Sequence, residues 1–398
     1  MSTFVIVGGG LAGAKAAEAL REQGHDGELV LIGDEQLPPY ERPPLSKGYL
    51  AGDAPWDDSV VHPEAWYAEQ NIDLRLGTRV TALRPADHVV EVEGDELRYD
   101  KLLLATGSQP RHLPGDDDLL HFRRRGDSEA VRDRFGQGRM VIVGGGWIGL
   151  EVAATARLAG TEVTVLEAAE LPLLAALGPE LAQDFAALHR DHDVDLRLGV
   201  KVDELRKDGA RLADGSSIDA ATVLVAIGAR PDTDLAEAAG LAVDNGVLVD
   251  ASMRTSDADI FAVGDIANAE HPFLGTRVRV EHWANALNQP YTAAAGMLGR
   301  EMQYDELPYF YTDQYDLGME YIGYAPPGWY ADVVIRGDRA GREFIAFWLD
   351  DTHRVLAGMN VNVWDVVDPI KEIIRSRRSV DVAKLADPEV PLDGVTHR

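Results

Sequence analysis

The first apolar stretch of the chain is Phe4 to Val7; it runs into a glycine cluster and is followed by apolar positions at helical spacing as far as Leu20. That order predicts strand, tight turn and helix over residues 3–20. Glu28 to Ile32 is a short apolar run that predicts a second, parallel strand, and Ile72 to Tyr99 alternates in the manner of hairpins. Lys101 to Gly107 is an apolar run that ends in small residues, as a buried parallel strand would. Residues 140–154 then repeat the opening arrangement. A strand from Glu162 to Leu166, an amphipathic helix near Pro179 to Asp191 and strands through Leu224 follow. ATGSQP at 105–110 and AIGARP at 226–231 hold similar places in the two halves, as expected if one nucleotide-binding fold is inserted in another. Beyond Pro231 the run at 255–268 supplies a further apolar strand for the first half. From Tyr309 to Trp364 the texture changes to aromatic-rich alternating strands, with a helix at Pro369 to Arg377. The expected fold class is α/β, with two Rossmann-like dinucleotide-binding domains and a C-terminal α+β domain. Its boundaries are 1–110 and 235–307 for the first domain, 111–234 for the second and 308–398 for the last.

The glycines give the pattern its chemistry. Gly8 makes the turn, Gly10 lets the backbone approach a pyrophosphate, and Gly13 lets helix and strand pack closely. One such copy can arise from any strand–helix turn, but Gly144, Gly146 and Gly149 form a second. Two nucleotide sites in one chain point to electron traffic between two cofactors. Asp34 lies 21 residues beyond Gly13, the spacing of an acid that binds a ribose hydroxyl; Glu35 beside it is the alternative, and the spacing favours Asp34. Glu167 ends the strand after the second turn, where it would accept from a ribose 2′-OH and repel a 2′-phosphate. Residues 37–50 hold four prolines around Arg42 and Lys47, a rigid loop presenting cations, although a surface lysine is the plainer reading of Lys47.

Composition removes whole classes. The 398 residues carry a formal charge of −29, which argues against nucleic acid and anionic lipid as partners. Cysteine is absent, which excludes disulfides, thiolate metal sites and a redox dithiol. The 11 histidines show no H-x-x-x-H pair, so the sequence offers no metal set. No apolar run approaches the ~20 residues of a membrane span. The first strand begins by Thr3, leaving no room for a signal segment, so the expected location is cytoplasmic.

The ordered set GGGLAG, PPYERPPLSK, LLLATG, GGGWIGLE, TVLE, IFAVGD, VEHWANALNQ and YFYTDQYD resembles the oxygenase-coupled NADH–ferredoxin reductases, flavoproteins of the glutathione-reductase-like fold. The resemblance spans nearly the whole chain. It implies FAD in the first unit, touched by Ala12, Asp34, Arg42, Lys47, Val80, Arg123, Asp265 and Trp283, while Ala105, Thr106 and Gly107 are small enough to let a cofactor approach the end of their strand. Val80 and Trp283 are also open to a reading as core packing, and Arg124 stands where the family has a threonine after Arg123. It implies NADH in the second unit, at Gly144, Gly146, Trp147, Ile148, Gly149, Glu167 and Gly228. It further implies that Glu151 pairs with Lys47 beside the flavin, with these two as the catalytic residues, and that Tyr311 replaces a tryptophan. The expected acceptor is an iron–sulfur ferredoxin feeding an oxygenase, and the expected assembly is a monomer or homodimer. The rivals are a flavin reductase of a small acceptor, quinone or monodehydroascorbate, and an NADH-sensing flavoprotein like the apoptosis-inducing factors.

Overall fold

The computed structural model describes residues 2–397. The chain forms two compact units, each assembled from three stretches: residues 1–42, 55–109 and 229–308 in one, and 43–54, 110–228 and 309–398 in the other.

The first unit is built on a five-stranded parallel sheet in the order Ile260–Ala262, Lys101–Leu104, Thr3–Val7, Glu28–Ile32, Asp73–Arg75. Its central strands are uniformly apolar because both faces are covered, as the runs at 4–7, 29–32 and 102–104 require. The helix Leu11–Glu22 follows the first turn, and its alanines 14, 16, 17 and 19 are buried. Small side chains bring it close to the helix Trp283–Met297, whose alanines 293 to 295 are also buried. Residues 80–98, expected to form hairpins, make an antiparallel meander of Val80–Arg84, Val89–Val92 and Asp95–Arg98, while Asp73–Arg75 joins the parallel sheet instead.

The second unit carries a four-stranded parallel sheet in the order Asp195–Arg197, Val163–Leu166, Met140–Val143, Thr222–Val225. The helices Trp147–Leu158 and Leu174–Asp191 belong with it, the latter kinked where Gly178 takes φ +77° ahead of Pro179. A five-stranded antiparallel sheet follows, ordered Tyr309–Gln314, Leu317–Gly323, Val355–Val361, Glu343–Leu349, Asp332–Asp338. One apolar cluster joins this sheet to the parallel one: Leu317, Met319, Trp348 and Met359 lie in it with Val152, Leu181 and Phe185. Leu50, from the early stretch 43–54, is buried in the same cluster. A division of the chain by consecutive stretches does not anticipate this grouping. The helix Val367–Ser376 buries Ile370, Ile373 and Ile374, and a Cβ at Gly358 would come within 2.6 Å of Ile370.

Candidate functional site

Each unit places a glycine turn at the carboxyl end of its central parallel strand. In the first, Gly8 has φ +124°, and a Cβ there would lie 2.1 Å from the Ala105 carbonyl oxygen; one on Gly13 would lie 2.0 Å from the Gly8 oxygen. In the second, Gly144 has φ +110° with Ala226 O at 2.3 Å from the same imagined atom, and Gly149 meets Gly144 O at 2.2 Å. These four positions are fixed by backbone contact, so only glycine fits them. Gly10 and Gly146 differ. A Cβ on either meets nothing within 4 Å, so each turn has open space before it. Both residues are helix N-caps with no side-chain cap, which leaves the first helical amides facing that space. An anion fits such a place, by amide donors and by the helix dipole together. This is the chemistry of a dinucleotide pyrophosphate, and it occurs once in each unit.

In the first unit the turn is surrounded by several of the expected residues. Gly264, at φ +76°, closes against Ala12, whose Cβ would stand 3.2 Å from an added one. Asp265 follows directly and accepts from Ser108 Oγ at 2.7 Å, while Gln289 Oε1 accepts from Gly264 N at 2.8 Å. Thr106 Oγ1 donates to Asp232 O at 2.8 Å, and Gly107 takes φ +75°. Glu35 accepts from Tyr40 OH at 2.8 Å and from Arg42 Nη2 at 3.1 Å, whereas Asp34 is exposed. Trp283 opens its helix and donates from Nε1 to Glu41 Oε2 at 3.1 Å; Val80 opens the meander and is half-buried.

In the second unit Glu167 folds back on the turn: Oε2 accepts from Gly145 N at 2.6 Å and Oε1 from Ala169 N at 2.8 Å. Ile148 is 40% exposed although apolar, beside the open space at Gly146. Trp147 packs edge-on to Phe185, and Gly228 takes φ +95° beyond the strand Thr222–Val225. Arg123 precedes the helix Arg125–Arg132, and its amide, like that of Arg124, donates to Asp127 Oδ2. Arg125 is engaged with Tyr49 OH and Glu129.

Lys47 also belongs to this second unit, although it lies within the stretch expected to form the first domain. Its Nζ donates to Glu151 Oε1 at 2.7 Å, so the two charges meet. The Glu151 side chain is only 4% exposed. Two residues not singled out in the sequence complete its coordination: Thr312 Oγ1 donates to Oε1 and Ser46 Oγ to Oε2, each at 2.5 Å. Ser46 adjoins Lys47 and Thr312 adjoins Tyr311, whose ring centroid is 5.2 Å from Lys47 Nζ, so each missed donor neighbours a residue the motifs had flagged. Burial raises the Asp313 carboxyl above the usual range, with Lys47 pulling the other way. The sequence offered no metal set, but the fold brings His112, Asp116 and His121 together.

Two open glycine turns, each with an acid just past the next strand, define a two-cofactor dinucleotide oxidoreductase. The chain belongs to the pyridine nucleotide-disulphide oxidoreductase family: the model of that description matches residues 2–289, and a model described as reductase C-terminal matches 309–396. It is 42% identical to the anthranilate 1,2-dioxygenase system ferredoxin–NAD(+) reductase component of Burkholderia cepacia, over 98% of each chain. It is 38% identical to putidaredoxin reductase of Pseudomonas putida, over 98% of this chain and 95% of that one. Among solved structures it resembles the reductase in the covalent putidaredoxin reductase–putidaredoxin complex, with TM-score 0.94, 37% identity and coverage of 98% and 97%.

Proposed function

We propose that this protein is an NADH-dependent ferredoxin reductase that serves an oxygenase. The observation that carries this reading is end-to-end similarity to reductase components of oxygenase systems, in a chain whose lack of cysteine removes the disulfide chemistry named in its wider family. FAD and NAD(H) are the cofactors. When bound, FAD takes a hydride from NADH and releases electrons singly, as an iron–sulfur acceptor requires.

The residues divide the work. Gly8, Gly10 and Gly13, with the amides of the helix Leu11–Glu22, hold the FAD pyrophosphate, and Asp265 takes the hydroxylated chain between phosphate and ring. Asp34 takes the ribose, at its spacing of 21 residues beyond Gly13, with Glu35 as the alternative acid. Gly144, Gly146 and Gly149 hold the NADH pyrophosphate. Glu167 is fixed by two backbone amides where a ribose 2′-OH would donate and a 2′-phosphate would be repelled. Lys47 supplies positive charge toward the reduced ring. Glu151 fixes its position, and the Ser46 and Thr312 hydroxyls satisfy the buried carboxylate beside it.

No helix among the described residues is long and apolar enough to cross a membrane. A cytoplasmic location, where NADH is available, belongs to the same proposal.

Stopped-flow reduction by NADH and by NADPH tests the reading, followed by a screen of iron–sulfur proteins and quinones as acceptors. Fast reduction by NADH with turnover on a ferredoxin supports it. Turnover on quinone alone would transfer the chain to the small-acceptor reductases, and slow turnover with a long-lived reduced complex to the sensing flavoproteins.

A further inference from the structure

Residues 111–121 form a loop clamped at both ends within the second unit. Arg111 N donates to Gly228 O, and Leu120 O accepts from Val225 N. Leu113 and Leu119 pack against the apolar cluster of Val141, Val143, Val223 and Val225. Between these anchors Gly115, at φ +84°, turns the chain so that Asp116 N bonds Leu113 O. The Asp116 side chain is fully buried, with Leu113 N donating to Oδ2 at 2.7 Å. Both neighbouring imidazoles face this carboxylate. His112 Nδ1 lies 2.9 Å from Oδ1 and His121 Nε2 3.6 Å from Oδ2, with the ring centroids 4.1 Å apart. All three ligand atoms lie within 4.8 Å of one another.

Zinc binds imidazole nitrogen and carboxylate oxygen at ~2.0–2.2 Å, so two ligands on a tetrahedral ion stand about 3.4 Å apart. The imidazoles approach different oxygens of the one carboxylate, at 2.9 Å and 3.6 Å, with the three ligand atoms within 4.8 Å of one another and His121 Nε2 also 3.4 Å from Asp116 O. The His112 side chain is 53% exposed, which gives solvent access and room for water as a further ligand. Asp117 and Asp118 are exposed beside it, and Lys207, 3.2 Å from Asp118, offsets part of their charge. Two imidazoles and one carboxylate suit borderline divalent ions better than calcium or magnesium.

We propose that His112 Nδ1, Asp116 and His121 Nε2 form a site for one divalent transition-metal ion of the zinc type. The site stands on its own residues and does not depend on the redox reading. The FAD-loaded protein, stripped with chelator, is titrated with Zn²⁺ by calorimetry and equilibrium dialysis. The expected result is one saturable equivalent per chain, with hydrogen exchange slowed across residues 111–121. His112→Gln should weaken binding by about tenfold or more. Because His112 also bonds the buried Asp116 carboxylate, the metal-free melting temperature of each protein is measured beside its affinity. His88→Gln, a histidine elsewhere, should bind as the unmodified protein does. Absence of a saturable equivalent, or equal affinity in His112→Gln and the unmodified protein, overturns the proposal. If His121→Gln fails to fold, the His112 comparison still decides.

Discussion

Replacing Lys47 by methionine keeps the apolar stem and deletes the charge that faces Glu151. The carboxylate then keeps two hydroxyl donors, Ser46 and Thr312, in a place where its side chain is 4% exposed. Breaking a buried ion pair costs ~3–5 kcal/mol. The remaining hydroxyls and the 16% exposure of Lys47 argue for the low end, about 3 kcal/mol. Glu151→Gln in the Lys47→Met background replaces the stranded charge with a neutral amide of the same shape. The double variant should therefore be more stable than Lys47→Met alone, with a coupling of roughly 1.5–3 kcal/mol between the sites. Denaturant unfolding of the four FAD-loaded proteins measures this cycle. The same charge is assigned to hydride transfer, where one charge-assisted contact of about 1.5–3 kcal/mol predicts a ten- to hundredfold slower reduction. Pre-steady-state flavin absorbance at saturating NADH reads that rate, with FAD content measured separately. The reasoning is refuted by a double variant no more stable than Lys47→Met, and the catalytic role by reduction at the unmodified rate.

Gly10→Ala meets no atom within 4 Å, so the apo-protein should fold normally while FAD dissociates about tenfold or more readily; Gly13→Ala should lose the fold, and equal FAD affinity in Gly10→Ala counts against the pyrophosphate assignment. Glu167→Ala with Leu171→Arg should narrow the NADH-to-NADPH ratio of kcat/KM by about tenfold or more, and comparable kcat/KM in the unmodified protein would contradict the role of Glu167. His189 is buried against Gln314 Oε1 at 2.8 Å, and burial pushes its pKa down to about 4. Below its unfolded value near 6.5 the unfolded state binds the extra proton, so this contribution is complete above that pH and is lost on acidification toward 4. The loss between pH 8 and 5 should be about 2 kcal/mol, and His189→Gln should flatten that part of the stability profile; an identical profile would exclude His189 as the source.

The parts of the fold that could be read from sequence are those encoded locally. A strand, a glycine turn and a helix occupy consecutive residues, and the backbone contacts at Gly8, Gly13, Gly144 and Gly149 leave a fixed spacing in the sequence. The Lys47–Glu151 pair was reachable only through resemblance, because 104 residues separate its members. Ser46 and Thr312 left no signal of their own: a serine after a proline-rich run and a threonine in an edge strand are ordinary until a buried carboxylate faces both. The histidine pair escaped detection because 112, 116 and 121 lie in a loop, where side-chain direction follows no period that spacing could reveal. The placement of residues 43–54 in the second unit was hidden for a related reason, since sequence order says nothing about which sheet a detour joins.

The strand order of the first sheet sets a timetable for synthesis. Thr3–Val7 is made first, but its neighbour Lys101–Leu104 emerges a hundred residues later, and the outer strand Ile260–Ala262 later still. The helix that packs against Leu11–Glu22 ends only at Met297. At ~5–20 residues per second, the opening glycine turn waits about 15–60 s on the ribosome before its unit can close. The unit with the first nucleotide site is thus completed late, and a nascent chain released before residue 297 should retain no FAD, however well its first strand and helix have formed.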